Sequence, residues 1–177
     1  MDKINDFTKL SVFDFDGTLI NTPLNTPENK EKWSEHHGRE YPYVGWWGRE
    51  ESMDKEVFDI TPREHVRSYY INERRTPNTM VVMLTGRIIK LSNIVEDILK
   101  DNNMYFHKYL YNRGGKTINE KISQILDILK ETPTIKKLEM WDDRVEHIPV
   151  FKDLGEKLLD SGSIEDFNIN YIESEHH

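Results

Sequence analysis

The chain has 177 residues, a net charge of −8, no cysteine and 32% charged residues. That is enough polypeptide for one domain with a real core, burying roughly 70% of its unfolded surface, and it excludes a disulfide framework, a thiolate metal site and a thiol nucleophile. The acidic balance argues against nonspecific coating of nucleic acid, no apolar run approaches the roughly 20 residues that span a bilayer, and residues 1–6 lack the basic-then-apolar pattern of a signal peptide, so the expectation is a soluble cytoplasmic protein.

Residues 10–15 read as a first strand that runs into Asp14-Phe15-Asp16-Gly17-Thr18. Side chains alternate along a strand, so Asp14 and Asp16 share a face until Gly17 breaks the strand into a turn. Both acids then sit at a strand's C-terminal end, where open α/β sheets hold their ligands. Two close carboxylates repel, and they stay ionised together cheaply only beside a cation.

Residues 21–60 have weak periodicity, three prolines and three glycines. That is too long for an ordinary loop and points to a functional insertion over the site. Within it, Trp46 and Trp47 suit either stacking on a base or anchoring a small cap. His36-His37 read as exposed histidines. Thr61-Pro62-Arg63-Glu64 has the form of a helix start, the helix running to about Arg74. Arg63, Arg67, Tyr70 and Arg74 share one face of that helix, a basic stripe suited to a phosphate backbone or simply solvated.

A continuous apolar run at 79–84 predicts a buried parallel strand. Thr85-Gly86-Arg87 follows: a hydroxyl that can donate to phosphate, a glycine that lets backbone amides approach, and a guanidinium fork. Leu91, Ile94, Val95, Ile98 and Leu99 form a helical stripe, and 104–111 a third strand. Thr117-Ile118-Asn119-Glu120 predicts a second capping box, with Ile118, Ile122, Ile125, Leu126 and Leu129 as the buried face. A fourth strand at 137–141 ends in Asp142-Asp143-Arg144. Ile148, Phe151, Leu154 and Leu158 mark another helix, and Phe167, Ile169 and Tyr171 a last strand. The closing Glu175-His176-His177 is assigned no function. Strands alternating with helices predict an α/β fold, a doubly wound, mainly parallel Rossmann-like sheet with helices on both faces. One domain over residues 1–177 is expected, with residues 21–78 as a cap-like insertion after the first strand.

Asp-x-Asp-Gly-Thr after a strand resembles the first motif of the haloacid dehalogenase (HAD) superfamily, Thr85 its second, and a lysine near the start of the third helix its next. The resemblance implies a Mg²⁺-dependent phosphatase. Asp14 would be the nucleophile, Asp16 the general acid and then the base, and Lys121 or its competitor Lys116 the phosphate-pairing lysine. Mg²⁺ would lie on Asp14, Asp16 through its backbone carbonyl, and Asp142 or Asp143, with Asp143 favoured because related domains keep the second acid. Thr18, Gly86, Arg87 and Arg144 would face the phosphate, and Trp46 and Trp47 the substrate.

Asp-x-Asp-Gly-Thr, Thr-Gly-Arg and Asp-Asp-Arg also resemble the phosphatase domain of phage polynucleotide kinase-phosphatase. Thr22-Pro23-Leu24, Trp46-Trp47 and Asp143-Arg144-Val145-Glu146-His147 are similar to the Swiss Army Knife RNA-repair-like branch of the superfamily, without the His-Asp expected after its tryptophans. The expected substrate is therefore a phosphorylated DNA or RNA end. The alternatives are a nucleotide or sugar phosphate, or a catalytically silent phosphate-binding scaffold.

Overall fold

The computed structural model describes residues 7–176, so the N-terminal stretch inspected for a signal pattern, and His177, lie outside the described residues. Along the chain the elements are β1 (Lys9–Phe13), β2 (Ile20–Asn21), α1 (Pro27–His37), β3 (Thr61–Pro62), α2 (Glu64–Arg75), β4 (Thr79–Ile88), α3 (Ser92–Asp101), β5 (Lys108–Asn112), α4 (Thr117–Glu131), β6 (Lys137–Asp142), α5 (Ile148–Asp160) and β7 (Asp166–Tyr171). Five strands pair parallel in the order β5-β4-β1-β6-β7. The chain builds outward from β1 to one side, then crosses back to the other. That reversal is where such sheets open a crevice beyond their C-terminal ends.

Alternation along the strands divides the core in two. Phe13, Val81, Met83 and Trp141 face Val66 and Tyr70 of α2 and Val95, Ile98 and Leu99 of α3. Leu10, Val12, Val82, Leu84 and Met140 face Ile125 and Ile128 of α4 and Phe151, Leu154 and Leu158 of α5. The stacked rings of Phe13 and Trp141, with centroids 4.2 Å apart, hold the middle of the first layer.

The insertion after β1 has an aromatic cluster of its own, Trp33, Tyr41, Trp46 and Phe58. It gathers around α1, whose N-cap Thr26 accepts a hydrogen bond from Asn29 N–H at 3.1 Å and whose chain leaves through Gly38 in the left-handed region, φ 67°. Residues 64–75 do not join this cluster. They form α2, which packs on the sheet through Val66 and Tyr70.

The structure departs from the sequence reading at several points. Thr61-Pro62 is not a helix cap: it pairs antiparallel with Ile20–Asn21, and Arg63 N–H donates to Leu19 O at 2.9 Å, which keeps the backbone extended until Glu64. The second capping box is also absent. Lys116 is the N-cap of α4 without a side-chain bond, and Glu120 turns back to accept Arg113 N–H at 2.6 Å. Leu126 is exposed, because α4 turns Lys121 and Gln124 inward with Ile125 and Ile128. β4 continues through Thr85-Gly86-Arg87 to Ile88, with a register irregularity after Leu84.

The basic stripe on α2 is a packing face. Tyr70 is buried with its hydroxyl donating to Tyr105 O at 2.9 Å, Arg67 donates to Asn102 O, and Arg74 lies on His107. His36 and His37 are on the cap, where with exposed Glu56 they form a surface group.

α5 and β7 meet at Gly155, where a Cβ would come within 2.5 Å of the Phe167 ring. Gly155→Ala should therefore lower stability by about 1–3 kcal/mol by overpacking, read as a lower melting temperature with unchanged far-UV circular dichroism.

Candidate active site

Asp14 follows β1 directly, and its N–H donates to Trp141 O at 3.0 Å, so it stands opposite Asp142 at the end of β6. Both follow residues of the α2–α3 layer and so turn toward α4. From α4, Lys121 reaches into the gap and donates to Asp14 Oδ1 at 2.9 Å and to Asp142 Oδ2 at 2.7 Å. Thr18 donates to the other Asp14 oxygen at 3.1 Å, and Arg144 N–H donates to Asp142 Oδ1 at 2.9 Å. Asp143 completes the group: carboxylate oxygens of Asp14, Asp142 and Asp143 lie within 4.8 Å of one another, and all three residues are buried.

Two glycines make the group possible. Gly17, at φ 71°, takes a backbone conformation that side-chain-bearing residues avoid, and a Cβ there would meet Asp143 Oδ2. A Cβ on Gly86 would come within 2.8 Å of Thr117, so its absence lets the first turn of α4 approach the end of β4 and carry Lys121 over the acids.

Burial pushes the Asp14 carboxyl well above the usual range; Lys121 opposes that shift, and the charges of Asp142 and Asp143 reinforce it. Asp143 is pushed up to about 6, again by burial first, with Asp142 adding to it and a hydrogen bond shared with Asp14 opposing it. Burial works against the Lys121 ammonium as well, but the two carboxylates it touches outweigh it and raise its pKa.

Asp16 lies one residue beyond the turn of the chain and is held differently. Arg87 approaches it as a fork, Nε–H at 3.0 Å from Oδ2 and Nη2–H at 2.7 Å from Oδ1, while the Thr22 hydroxyl donates to Oδ1 at 2.7 Å. Burial disfavours ionisation of Asp16, yet the Arg87 charge and hydrogen bonds overcome it and hold the carboxyl below its ordinary value. The rest of the guanidinium is committed to the insertion, donating to Trp47 O at 2.9 Å and Ser52 Oγ at 2.6 Å.

A cavity of about 190 Å³ opens above these groups, lined by Asp14, Asp16, Trp47, Gly86, Arg87, Thr117, Lys121, Asp143, Arg144 and His176. Of the residues singled out from the sequence, Asp14, Asp16, Lys121, Asp143, Gly86, Arg87, Arg144 and Trp47 thus come together at one opening. Thr18 and Thr85 lie beneath it, Thr85 accepting Arg87 N–H at 3.1 Å. Asp142 is buried under Asp143.

Trp46 is not at the opening. It is 1% exposed inside the cap cluster and its indole N–H donates to Pro23 O at 3.0 Å, so it anchors the cap and has no face for a base. Lys116 stays exposed at the head of α4, away from the acids that Lys121 reaches. Arg87 is spent on Asp16 and the cap instead of extending a free fork to a phosphate. His147 is buried against Phe151. Thr22 and Thr117 were read only within a motif and a capping box, and Ser52, Ser174 and His176 were given no role. Thr22 sits beside the acid motif and was within reach of the sequence reading. Nothing in the local pattern marks the others.

The donor set fits a divalent cation. Three buried carboxylates share one ammonium, and burial, with the acids' mutual repulsion adding to it, raises the carboxyls of Asp14 and Asp143. A hard cation takes oxygen ligands of this kind, often few from protein with water and substrate completing the shell, and its charge would let Asp14 and Asp143 ionise together.

Solved structures with the same architecture include the Pnkp1/Rnl/Hen1 RNA repair complex (TM-score 0.56, 16% identity, 97% of this chain and 45% of that one). They also include the HAD domain of effector protein Lem4 from Legionella pneumophila (0.52, 12%, 97% and 89%) and the haloacid dehalogenase-like protein SP0104 from Streptococcus pneumoniae (0.53, 11%, 92% and 93%). This likeness shows the fold, with its sheet order and the crevice at its C-terminal edge. The chain belongs to HAD domain family 1 in Swiss Army Knife RNA repair proteins, whose model matches residues 33–177. The match begins after β1, so Asp14 and Asp16 stand outside it. The Saccharomyces cerevisiae protein YMR265C is 25% identical over 167 residues, 82% of this chain and 36% of that protein. The chain therefore spans about a third of that relative and under half of the Pnkp1 chain.

Saturating Mg²⁺ at roughly tenfold its dissociation constant should stabilise the protein by about 1.4 kcal/mol, a rise of ~3–5 °C in melting temperature. Asp143→Asn should lose most of that response while folding normally. Calorimetry with and without Mg²⁺ checks both.

Proposed function

We propose that the protein is a Mg²⁺-dependent phosphomonoesterase that works through an aspartyl-phosphate on Asp14. One observation carries this reading: a carboxylate held between Lys121 and two further acids lines a cavity that is also lined by a second carboxylate, Asp16, on its own arginine. A bound Mg²⁺ would rest on Asp14 and Asp143 and would neutralise charge on the substrate phosphate and orient it.

The residues divide the work. Lys121 and the Thr18 hydroxyl fix the two oxygens of Asp14, so the nucleophile meets phosphorus in a set orientation. An Asp14 oxygen forms the new P–O bond as the bond to the leaving oxygen breaks. That oxygen takes a proton from Asp16. A phosphate monoester entering as the monoanion carries the proton that Asp16 needs, since its second pKa is about 6. Asp16 is then a carboxylate again, the form that Arg87 favours, and it removes a proton from the water that hydrolyses the acyl-phosphate. Arg144, at the rim, supplies a positive charge to incoming phosphate.

The substrate we assign is a phosphorylated nucleic-acid end. A cavity of about 190 Å³ admits a phosphoryl group and part of a sugar and leaves the remainder outside against Trp47. The family description and the Pnkp1 likeness support the same class.

Asp14→Asn should abolish Mg²⁺-dependent release of phosphate from an aryl phosphate, a loss of roughly 10³-fold or more. Equal turnover in both proteins would remove Asp14 as nucleophile. For substrate class, phosphate release from 5′- and 3′-phosphorylated oligonucleotides should exceed that from the matching mononucleotides in kcat/KM. A preference for the mononucleotides would favour a small-molecule phosphatase.

A further inference from the structure

The segment that follows β7 runs back across the mouth of the site. Ile172 N–H donates to Asp142 O at 2.9 Å. The Arg63 guanidinium donates to Glu173 O at 2.7 Å and also to Gly17 O, tying this segment to the turn that carries the two acids. Ser174 Oγ and His176 Nδ1 lie 2.6 and 2.9 Å from where a Gly17 Cβ would stand, so the glycine makes room for this segment as well as for Asp143. The His176 ring reaches the cavity and rests against the Trp47 indole, centroids 5.6 Å apart.

His176 Nε2 is 3.2 Å from Thr22 Oγ1, the same hydroxyl that bonds to Asp16 Oδ1 at 2.7 Å. Proton counting fixes the direction of both bonds. A hydroxyl has one proton to give, and an ionised carboxylate only accepts. Asp16 is the carboxylate in the Arg87 fork, so the Thr22 proton belongs to it. The contact at Nε2 is then an N–H donated by His176 to the Thr22 oxygen. On the other side of the ring, Nδ1 is 2.9 Å from Ser174 Oγ, which also accepts the His176 backbone N–H at 3.0 Å. Whichever way the Ser174 proton points, Nε2 carries a hydrogen.

The loading of Asp16 is uneven. Oδ1 receives Thr22 at 2.7 Å and Arg87 Nη2–H at 2.7 Å, whereas Oδ2 has only Arg87 Nε–H at 3.0 Å among the bonds described. Oδ2 is therefore the oxygen left to exchange a proton with a substrate.

We infer that His176 is a positioning residue for Asp16: by donating to Thr22 it locks the hydroxyl that holds Oδ1, which keeps Oδ2 turned to the leaving group. The inference rests on the reading of Asp16 as general acid. It makes residues 172–176 a working wall of the active site.

The test separates proton delivery from the rest of catalysis. An alkyl phosphate needs a proton on its departing oxygen; an aryl phosphate with an acidic phenol does not. His176→Ala should lower kcat/KM about tenfold on the alkyl phosphate, part of the 10²–10⁴-fold that a general acid supplies, and less than twofold on the aryl phosphate. His176→Gln, whose carboxamide N–H can donate to Thr22, should regain most of the loss. Equal losses on both substrates, or no loss on either, overturn the inference. Independently of turnover, ¹⁵N NMR of the metal-free parent should show His176 protonated at Nε2; the Nδ1–H tautomer overturns the relay. A parent protein that turns over neither substrate in Mg²⁺ overturns the phosphatase reading, and the positioning role with it, while the NMR result still decides the hydrogen bonds.

Discussion

The Lys121 ammonium, 2.9 Å from Asp14 and 2.7 Å from Asp142, is the contact on which the site's architecture depends. It is buried, and so are both partners. Ions taken out of water in this way cost several kcal/mol each unless they meet an opposite charge in good geometry. Several features of the chain follow from supplying that geometry. α4 turns a lysine and a glutamine inward where a helix packed only for stability would have apolar residues, and Leu126 is turned out to solvent as a result. Gln124 satisfies its own burial by donating to Tyr111 O at 2.9 Å. Gly86 gives up a side chain so that α4 can begin against β4. The sheet and its flanking helices therefore carry a local charge arrangement that apolar packing alone would not select.

Arg87 plays the corresponding part for the insertion. Its guanidinium is 3% exposed and donates to Asp16, Trp47 O and Ser52. A planar, permanently charged fork can serve three partners at once, which an ammonium at this position could not do with the same geometry. The consequence is mechanical as well as electrostatic. The cap at Trp47 and Ser52 and the Asp16 carboxylate share one guanidinium, so cap position and the ionisation of Asp16 are coupled through one side chain.

How much of this was legible in the sequence depended on range. The strand ending in Asp14-Phe15-Asp16-Gly17-Thr18 and the apolar runs at β4 and β6 are local patterns, and from them the parallel sheet and the acids at its C-terminal edge could be read, whereas Lys121, with Lys116 beside it, and the choice of Asp143 followed from the family resemblance. Element boundaries failed where distant pairing overrode local preference. Thr61-Pro62 has a helix-start pattern but is held extended by β2, and Thr117 opens α4 without capping it because Glu120 is drawn to Arg113. Trp46 and Trp47 are adjacent and of one type, yet one anchors the cap and the other faces the cavity, a difference set by which side of the chain the aromatic cluster occupies. Arg87 was expected on phosphate and is found on Asp16, because the sequence does not show that the insertion's backbone will be close enough to claim the fork. His176 had no local signal at all: its place depends on β7 pairing beside β6 and returning the chain to Gly17.

The charge balance of the cavity bears on the order in which ligands can assemble there. Asp14, Asp16, Asp142 and Asp143 are four acids, met by Lys121 and Arg87, while Arg144 is paired with Glu146 at 2.9 Å. With every group ionised the four acids exceed these two cations by two negative charges, within a protein whose net charge is already −8. A phosphate dianion approaching that site is repelled, and the same excess adds to the burial that raises the Asp14 and Asp143 carboxyls. A divalent cation would offset that excess. It would draw a phosphate into the cavity and at the same time leave Asp14 ionised to attack it. In the proposed reaction one bound charge thus meets two requirements that conflict in the protein alone, an anionic nucleophile and a substrate that is itself an anion. The arrangement accordingly favours cation first and phosphate second.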